Sequence, residues 1–243
     1  MDFDVKTFEE TLRDGLSEFG LDLDFGQVDL MTKFAKVIVE VNQGLNLTRI
    51  LEPTEMAVKN FLDSLSVLLL DLEDDLNVLD LGTGAGFPGV PLAIVRSDWS
   101  IVLLDSLRKR LDFLDEACSD LGLSNIRTFH ARAEDGGRDP NFRESFDLVV
   151  SRAVANLPVL LELSIPFVKV GGYFVAFKAA DAAAELNSSG RAIKELNCKL
   201  EQVFPLKLPL EMGERNLLIF KKIGATPKLY PRKPGTPARK PII

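Results

Sequence analysis

The sequence contains few residues of the types that build disulfides and transition-metal sites. Its 243 residues include two cysteines, Cys118 and Cys198, and a single histidine, His130. This count excludes a disulfide framework and a histidine-rich metal centre, and it is typical of a reducing cytoplasm. Cys118 lies in a helical pattern and Cys198 near the start of a strand, so we expect no thiolate nucleophile. We expect His130 to be an ordinary strand residue.

Long apolar runs are also missing. No stretch approaches the ~20 apolar residues that a membrane-spanning helix needs. The first residues, Met1–Asp4, are acidic and lack the basic and apolar segments of a signal peptide. We therefore expect a cytoplasmic protein that binds neither a membrane nor a metal ion.

Basic residues are outnumbered, and they are unevenly distributed. The net charge is −7, which disfavours a general nucleic-acid binder. Residues 1–30 hold nine acidic and two basic side chains, whereas residues 221–243 hold seven basic ones and no acid. A basic end on an acidic protein indicates either a nucleic-acid contact or a solvated tail, and charge alone does not decide between them.

Hydrophobic periodicity divides the chain into three regions. Residues 1–75 form a helical extension, because apolar residues recur at helical spacing over 3–20, over 27–43 and from Pro53 to about residue 70. Residues 76–223 alternate strands with helices. Residues 224–243 form a basic tail that contains five prolines, a composition that excludes a central strand or helix.

The alternation over residues 76–223 predicts a three-layer α/β fold with a mostly parallel sheet and right-handed crossovers. No helix separates the last two strands, which predicts an antiparallel hairpin at the sheet edge. Trp99 is expected in a surface turn, Gly171-Gly172 in a turn, and single helices over 157–168 and 182–196. The seven predicted strands cover residues 78–81, 100–104, 126–130, 146–150, 173–177, 199–204 and 216–223.

The first strand runs into a glycine-rich stretch, Asp80–Gly89, that precedes a helix. Glycine lets backbone approach a ligand closely, and Gly84 opens a G-x-G-x-x-G match. Counted from the strand end, however, the first glycine is Gly82, and Phe87 then replaces the third. Asp80 would repel a pyrophosphate but suits the ammonium and sulfonium of S-adenosylmethionine. We favour that cofactor over a dinucleotide or a purely structural glycine turn.

Other polar residues follow the next strands, and ligands of open α/β sheets bind at the carboxyl ends of strands. Asp105 stands 23 positions after Gly82, a spacing common for the carboxylate that binds the ribose hydroxyls. Helix capping is the alternative for Asp105. Ala133 and Glu134 are candidates for adenine contact, with a solvated loop acid as the alternative for Glu134.

The fourth strand ends in Ser151-Arg152-Ala153-Val154 and bears on the methyl acceptor. Enzymes that methylate exocyclic amines of bases place Asn or Asp before Pro-Pro-aromatic at this point. Without that motif, an acceptor that is already nucleophilic is favoured, such as guanine N7, which needs orientation and no general base. Arg152 is the positioning candidate. It contacts either the methionine carboxylate or guanine O6, with a surface arginine as the alternative.

Several motifs occur in the order of a known family. They include Asn46-Leu47-Thr48, Phe61–Leu65, Gly86–Gly89, Arg132–Glu134 and Tyr230–Arg232. With these motifs the sequence resembles the bacterial 16S rRNA guanine-N7 methyltransferases, once called glucose-inhibited division protein B. Two departures stand out, since Lys59-Asn60 replaces the family's Arg-His and Ala179 replaces a glycine after Lys178.

The resemblance implies a Rossmann-like class I methyltransferase that binds 16S rRNA or the small ribosomal subunit. The implied target is guanosine 527 in the 530 loop. The implied cofactor contacts are Gly82, Phe87, Ala133, Glu134 and Arg152, to which the loop and strand ends add Asp80, Gly84 and Asp105. The candidates for RNA charge are Lys178, Arg215, Lys228, Arg232, Lys233, Arg239 and Lys240.

Other classes stay open at this point. A methyltransferase of another RNA or of a small molecule would share the loop, and deletion of residues 224–243 should spare a small-molecule enzyme. A dinucleotide oxidoreductase would bind a nicotinamide cofactor instead. A non-catalytic rRNA-binding assembly factor would bind rRNA but transfer no methyl group. We expect a monomer.

Overall fold

The computed structural model describes residues 3–243 and contains a single seven-stranded sheet in the order β3-β2-β1-β4-β5-β7-β6. Strands β1 to β5 are parallel, and β7 runs antiparallel to both β5 and β6. This confirms the predicted mostly parallel sheet with an antiparallel edge hairpin. The strands are β1 (Asn77–Leu81), β2 (Ser100–Asp105), β3 (Ile126–His130), β4 (Phe146–Arg152), β5 (Val168–Ala179), β6 (Cys198–Lys207) and β7 (Glu214–Lys222).

Helices cover both faces of this sheet. Among the described residues, none of the helices is both long enough and apolar enough to span a membrane. The helices are α1 (Val5–Phe19), α2 (Phe25–Leu45), α3 (residues 53–69), α4 (Gly89–Val95), α5 (Arg108–Asp120), α6 (Ala133–Gly136), α7 (Leu157–Ser164), α8 (Ala183–Ser188), α9 (Gly190–Glu195) and α10 (Thr236–Arg239).

The ends of the first two helices follow from local sequence. Asp4 caps α1 by accepting the Thr7 N–H at 3.1 Å, and Gly20 ends the helix in the left-handed conformation. Asp24 and Gln27 form a capping box at the start of α2, which ends at Asn46, also left-handed. The side-chain caps thus satisfy N–H groups at the helix starts, and the backbone N–H groups of Gly20 and Asn46 satisfy carbonyls at the helix ends.

Helix α3 is irregular, which its periodicity did not predict. It begins as an α-helix at Pro53–Met56, widens into a π-helix at Ala57–Leu62, returns to α at Asp63–Leu65 and ends as a 3-10 turn at Ser66–Leu69. π-Helical turns are rare and are often found at functional sites. Here the wide turn lies against the carboxyl end of β4, where Arg152 contacts it.

One face of the sheet and helices α1 to α5 share a single hydrophobic core. Its centre near the glycine loop is a chain of aromatic rings. The Phe61 ring lies 5.1 Å from that of Phe8, 6.2 Å from that of Phe34 and 5.2 Å from that of Phe87, with edge-to-face geometry. Such pairs add about 0.5–1.5 kcal/mol each beyond burial. The N-terminal helices are thus packed directly onto the loop that follows β1.

Two local predictions were wrong because tertiary packing decides them. Trp99, expected in a surface turn, is only 1 % exposed. Its indole N–H donates to the Glu73 carbonyl at 3.3 Å, and the Arg96 guanidinium lies 4.4 Å from its ring centroid. The turn is therefore at the surface while the ring is inside. Gly171-Gly172 does not end an element but lies within β5, beside an irregularity in the pairing with β4.

The helices predicted over 157–168 and 182–196 are shorter than expected. Helix α7 ends at Ser164, and Ile165–Phe167 forms a 3-10 turn that contains Pro166. Val168 already belongs to β5, where it pairs with Phe146. The second segment breaks at Ser189 into α8 and α9. Proline cannot extend an α-helix by donating the next hydrogen bond, which accounts for the first break.

The tail, residues 224–243, is packed onto the second face of the sheet beside α7 and α9. Tyr230 and Ile242 are buried in the core of that face. The Arg143 guanidinium donates to the carbonyls of Thr226 at 2.8 Å and Tyr230 at 2.9 Å. Contrary to expectation the tail also contains a helical turn, α10, with Pro237 in its first turn. Deletion of the tail would therefore remove core contacts whatever the substrate. The expectation that this deletion spares a small-molecule enzyme is wrong for that reason.

Substitution of Phe61 tests whether the N-terminal helices and the glycine loop share one core. Phe61 is fully buried, so Phe61→Ala should lower the free energy of unfolding by about 3–5 kcal/mol, measured by denaturant unfolding. The control Phe25→Ala, at a residue that is 83 % exposed, should change it by about 0.5 kcal/mol or less. Equal effects of the two substitutions would contradict the shared core.

Candidate cofactor and substrate site

The carboxyl ends of β1 to β4 bring together the predicted site residues at one edge of the sheet. Pairing places Asp80 beside Leu103 of β2 and Val150 of β4, and Asp105 beside His130 of β3. A cleft of about 320 Å³ opens at this edge. Its lining includes Gly82, Asp105, Arg110, Ala133, Glu134 and Val154.

Asp80 lies at the base of the glycine loop and is fully buried. Its Oδ2 accepts the Gly89 N–H at 2.8 Å, which ties the start of α4 to the end of β1. Burial raises the pKa of Asp80 to about 6, against the opposing effects of hydrogen bonding and of the nearby Arg152 charge. The Thr83 hydroxyl lies beside the Asp80 carboxyl, and within the described chain neither it nor Asp80 Oδ1 has another hydrogen-bond partner.

The glycines above Asp80 form a backbone cradle. Gly82, Gly84 and Gly86 all have positive φ, a conformation that other residues adopt only with strain. A Cβ at Gly84 would meet nothing closer than the Gly82 carbonyl at 3.9 Å, so this part of the loop is open to a ligand. A Cβ at Gly82 would lie 2.4 Å from Val154 Cγ2, so the segment after β4 closes over the loop there.

Two carboxylates stand at the other side of the cleft. Asp105 Oδ2 accepts the Gly84 N–H at 3.0 Å and its Oδ1 accepts the Leu107 N–H at 2.9 Å, so Asp105 fixes the loop and also caps the turn before α5. Each oxygen retains a second lone pair. Glu134 lies in the first turn of helix α6 and accepts the Gly235 N–H at 2.8 Å.

These residues fit S-adenosylmethionine. That molecule carries an ammonium, a sulfonium, ribose hydroxyls and an adenine amine, and no phosphate. The open backbone at Gly84 and the remaining lone pairs of Asp105 offer acceptors for such donors, and Asp80 adds a buried acid beneath the loop. A pyrophosphate would instead meet the negative charges of Asp80 and Asp105.

Phe87 has a different environment from the other predicted contacts. Its side chain is 4 % exposed and points into the aromatic cluster with Phe34 and Phe61. One edge of the site is nevertheless in contact with it, because the Arg152 guanidinium lies 5.4 Å from its ring centroid. The Phe87 ring thus packs against the Arg152 guanidinium. The role of Phe87 as a cofactor contact stays a prediction.

Arg152 is held rigidly by α3. Its Nη1 donates to the Lys59 carbonyl at 2.6 Å and to Asp63 Oδ2 at 3.1 Å, and its Nη2 donates to Asn60 Oδ1 at 3.3 Å. A guanidinium has five N–H donors, so two remain for a ligand. Asn60 stands where the resembled family has histidine, and here its amide oxygen serves Arg152.

Asp63 is a site residue that sequence reasoning missed. Its carboxylate, 4 % exposed, lies between two guanidinium groups, with Arg152 Nη1 at 3.1 Å from Oδ2 and Arg215 Nε at 3.3 Å from Oδ1. The Phe61–Leu65 motif contains Asp63 and could have pointed to it. The motif does not predict the π-helical turn that ends just before Asp63 and directs its carboxylate toward β4 and β7. One carboxylate between two cations leaves the cluster with net positive charge.

Apart from Arg215, the predicted RNA-binding cations fall into two groups. Lys178 Nζ is 2.8 Å from both Glu185 Oε2 and the Ala155 carbonyl, and Arg232 is paired with the buried Glu162. These two are engaged within the protein. The exposed candidates of the tail are Lys228, Lys233, Arg239 and Lys240.

The thiols and the histidine lie outside this chemistry. Burial raises the pKa of Cys118 and of Cys198 to about 12, so neither forms a thiolate at neutral pH. His130 ends β3 and is hydrogen-bonded to the Ser106 carbonyl at 3.1 Å. Among the described residues, no group of three or more His, Cys, Asp or Glu side chains is arranged to hold a metal ion.

The strand order, the glycine loop after β1 and the acid at the end of β2 define a class I, Rossmann-like methyltransferase fold. Two solved structures share it. TYW2 of M. jannaschii in complex with AdoMet matches with a TM-score of 0.51 at 17 % identity, over 67 % of this chain and 76 % of that one. A SAM-dependent methyltransferase from Aquifex aeolicus matches with a TM-score of 0.52 at 16 % identity, over 70 % and 93 %.

The chain belongs to the family of rRNA small subunit methyltransferase G, also termed GidB, whose model matches residues 27–217. The Ribosomal RNA small subunit methyltransferase G of Desulforamulus reducens is 45 % identical over 96 % of this chain and 97 % of the relative. The protein of that name from Acetivibrio thermocellus is 43 % identical over the full length of both chains. Family membership confirms the predicted resemblance, the enzyme class and S-adenosylmethionine as cofactor.

The buried Asp80 carboxyl gives the protein a specific pH dependence. Its pKa is raised from 3.8 to about 6, so the folded protein binds the proton more tightly than the unfolded chain does. The free energy of unfolding should therefore fall as pH rises through this range, by about 3 kcal/mol from this group. Asp80→Asn keeps an acceptor for the Gly89 N–H and should lack this fall when denaturant unfolding is compared at about pH 4 and pH 7. The same pH profile in both proteins would contradict the burial effect.

Proposed function

We propose that the protein transfers a methyl group from S-adenosylmethionine to N7 of guanosine 527, in the 530 loop of 16S rRNA. The family's name supports small-subunit rRNA as the substrate, and the motifs named above support guanine N7. The observation that carries the proposal is Arg152, a guanidinium fixed at the end of β4 with two N–H donors to spare. Guanine presents O6 and N7 as adjacent acceptors to such a group.

The chemistry of N7 suits this site because N7 has an in-plane lone pair and no proton to lose. S-Adenosylmethionine supplies an electrophilic methyl carbon when bound. As the bond from that carbon to N7 forms, its bond to sulfur breaks, and the positive charge passes from sulfur to the purine. No base is needed, and Asp63 is not free to act as one, since both its oxygens face arginines.

The arginine cluster divides into a fixed and a more exposed cation. Arg152 has three protein acceptors and a side chain that is 17 % exposed, whereas Arg215 is 25 % exposed and held by Asp63 and by the Glu214 carbonyl at 3.0 Å. Arg152 therefore orients the base or the methionine carboxylate. Arg215, at the outer end of β7, takes an rRNA phosphate, and the exposed cations of the tail add to this contact.

Direct identification of the product tests the proposal. Purified protein is incubated with methyl-labelled S-adenosylmethionine and unmethylated 16S rRNA or small subunits, and the labelled nucleoside is mapped. We expect 7-methylguanosine at position 527. Arg152→Ala should lower the rate about a hundredfold, as for loss of a positioned donor.

Other outcomes assign other functions. Label on another nucleoside or in another RNA would identify a different RNA methyltransferase. Binding of rRNA without transfer would identify an assembly factor. Transfer to small molecules alone would exclude RNA as substrate, and each of these results overturns the proposal.

Salt dependence tests Arg215 as a phosphate contact. Arg215→Gln should weaken binding of rRNA about tenfold and reduce the slope of log K against log salt by about 1. The affinity for S-adenosylmethionine, measured by calorimetry, should be unchanged. Lys199→Gln, which removes an exposed cation at the opposite end of the same hairpin, is the matched control and should leave the slope unchanged. An unchanged slope in Arg215→Gln would contradict the contact.

A further inference from the structure

The tail has a connection to the cofactor site that does not depend on its positive charge. It starts at Glu162, a fully buried carboxylate in α7. A buried carboxylate destabilises the fold unless it is paired and fully hydrogen-bonded. Arg232 does both, because its Nε lies 2.9 Å from Oε1, its Nη2 lies 2.5 Å from Oε2, and its backbone N–H lies 2.8 Å from Oε1.

The same guanidinium closes part of the tail into a loop. Arg232 Nη2 also donates to the Lys240 carbonyl at 2.7 Å. Residues 232–240, which include α10, are therefore tied at both ends to one point on α7. The position and direction of this segment depend on the pair between Arg232 and Glu162.

The tail then contacts the element that carries Glu134. The Gly235 N–H donates to Glu134 Oε1 at 2.8 Å, and Gly235 has a φ of +76°, which favours glycine. Pro231 packs behind the end of α6, where a Cβ at Gly137 would lie 3.1 Å from Pro231 Cγ. Arg143 donates at 2.9 Å to the carbonyls of both Gly137 and Tyr230. The tail thus lies behind α6, while Ala133 and Glu134 of α6 line the cleft.

We propose that Arg232 is a positioning residue of the cofactor site, which holds the tail so that Gly235 orients the Glu134 carboxylate. The inference rests on Glu134 being a contact of the adenosine part of S-adenosylmethionine. Without the pair between Arg232 and Glu162, the Glu134 carboxylate loses the Gly235 N–H, its one hydrogen-bond partner among residues 3–243. The Glu134 side chain must then be ordered when the cofactor binds, and the entropic cost of this ordering lowers the affinity for the cofactor. Arg232 itself contacts neither cofactor nor rRNA.

The test compares cofactor and RNA affinities of the full-length protein. Arg232→Gln should raise the Kd for S-adenosylmethionine about tenfold by calorimetry, the factor expected for losing a hydrogen bond to a charged group. The affinity for 16S rRNA should fall by a smaller factor than the affinity for the cofactor, because the proposed phosphate contact at Arg215 is unaffected. Arg13→Gln makes the same charge change on α1, on the opposite face of the sheet, and should alter neither affinity. If Arg232→Gln does not fold, Arg232→Lys serves, because it keeps the charge but loses the bidentate geometry.

A double-mutant cycle separates positioning from a general loss of structure. Glu134→Gln alone should weaken cofactor binding. Adding Arg232→Gln to Glu134→Gln should weaken it little further, because both act through one carboxylate. Additive effects, an unchanged cofactor Kd in a folded Arg232 variant, or loss of rRNA affinity alone would each overturn the inference. If Glu134→Gln binds the cofactor normally, the assumed contact itself is wrong, and product mapping by the wild-type protein is unaffected.

Discussion

The hydrogen bond from the Gly89 N–H to the buried Asp80 carboxylate is the constraint on which the site depends. It fixes the start of α4 against the end of β1, so the seven residues between them must turn back through three glycines at positive φ. That turn leaves open space beside the backbone of Gly84 and also buries Phe87 in the core. The loop is therefore open to a ligand at Gly84 and part of the core at Phe87, so a change in one part of the loop alters the other.

The two faces of the sheet support different halves of the site. On one face, the N-terminal helices bring Asn60 and Asp63 to Arg152 at the end of β4. On the other face, α7 and the tail hold α6 and Glu134 at the lining of the cleft. The sheet itself contributes mainly the order of its strand ends. The parts outside the central alternation of strands and helices are thus components of the site as much as appendages to it.

Much of the fold and part of the site were readable from sequence because they follow from local rules. Alternating strands and helices predict a parallel sheet. In such a sheet the glycines after β1 and the acid after β2 lie at the edge where ligands bind. The rest depends on contacts between distant segments. Three features depend on such contacts and leave no periodic pattern in the sequence. They are the burial of Trp99, the placement of Asp63 by the π-helical turn before it, and the pairing of Arg232 with Glu162. The composition of a basic, proline-rich tail predicts a solvated or RNA-bound segment. Arg232 of this tail nevertheless points inward and pairs with the buried Glu162.

The position of the tail in the sequence has a consequence for the order of assembly. Residues 224–243 follow every strand of the sheet, so they leave the ribosome after the loop, the strand ends and α6 have already been made. Until they dock against α7, Glu134 lacks its partner and the second core lacks Tyr230 and Ile242. During synthesis the glycine loop can therefore form before the part of the cleft that contains Glu134 is complete. With Glu134 as the proposed cofactor contact, binding of S-adenosylmethionine should be among the last steps in the maturation of a new chain.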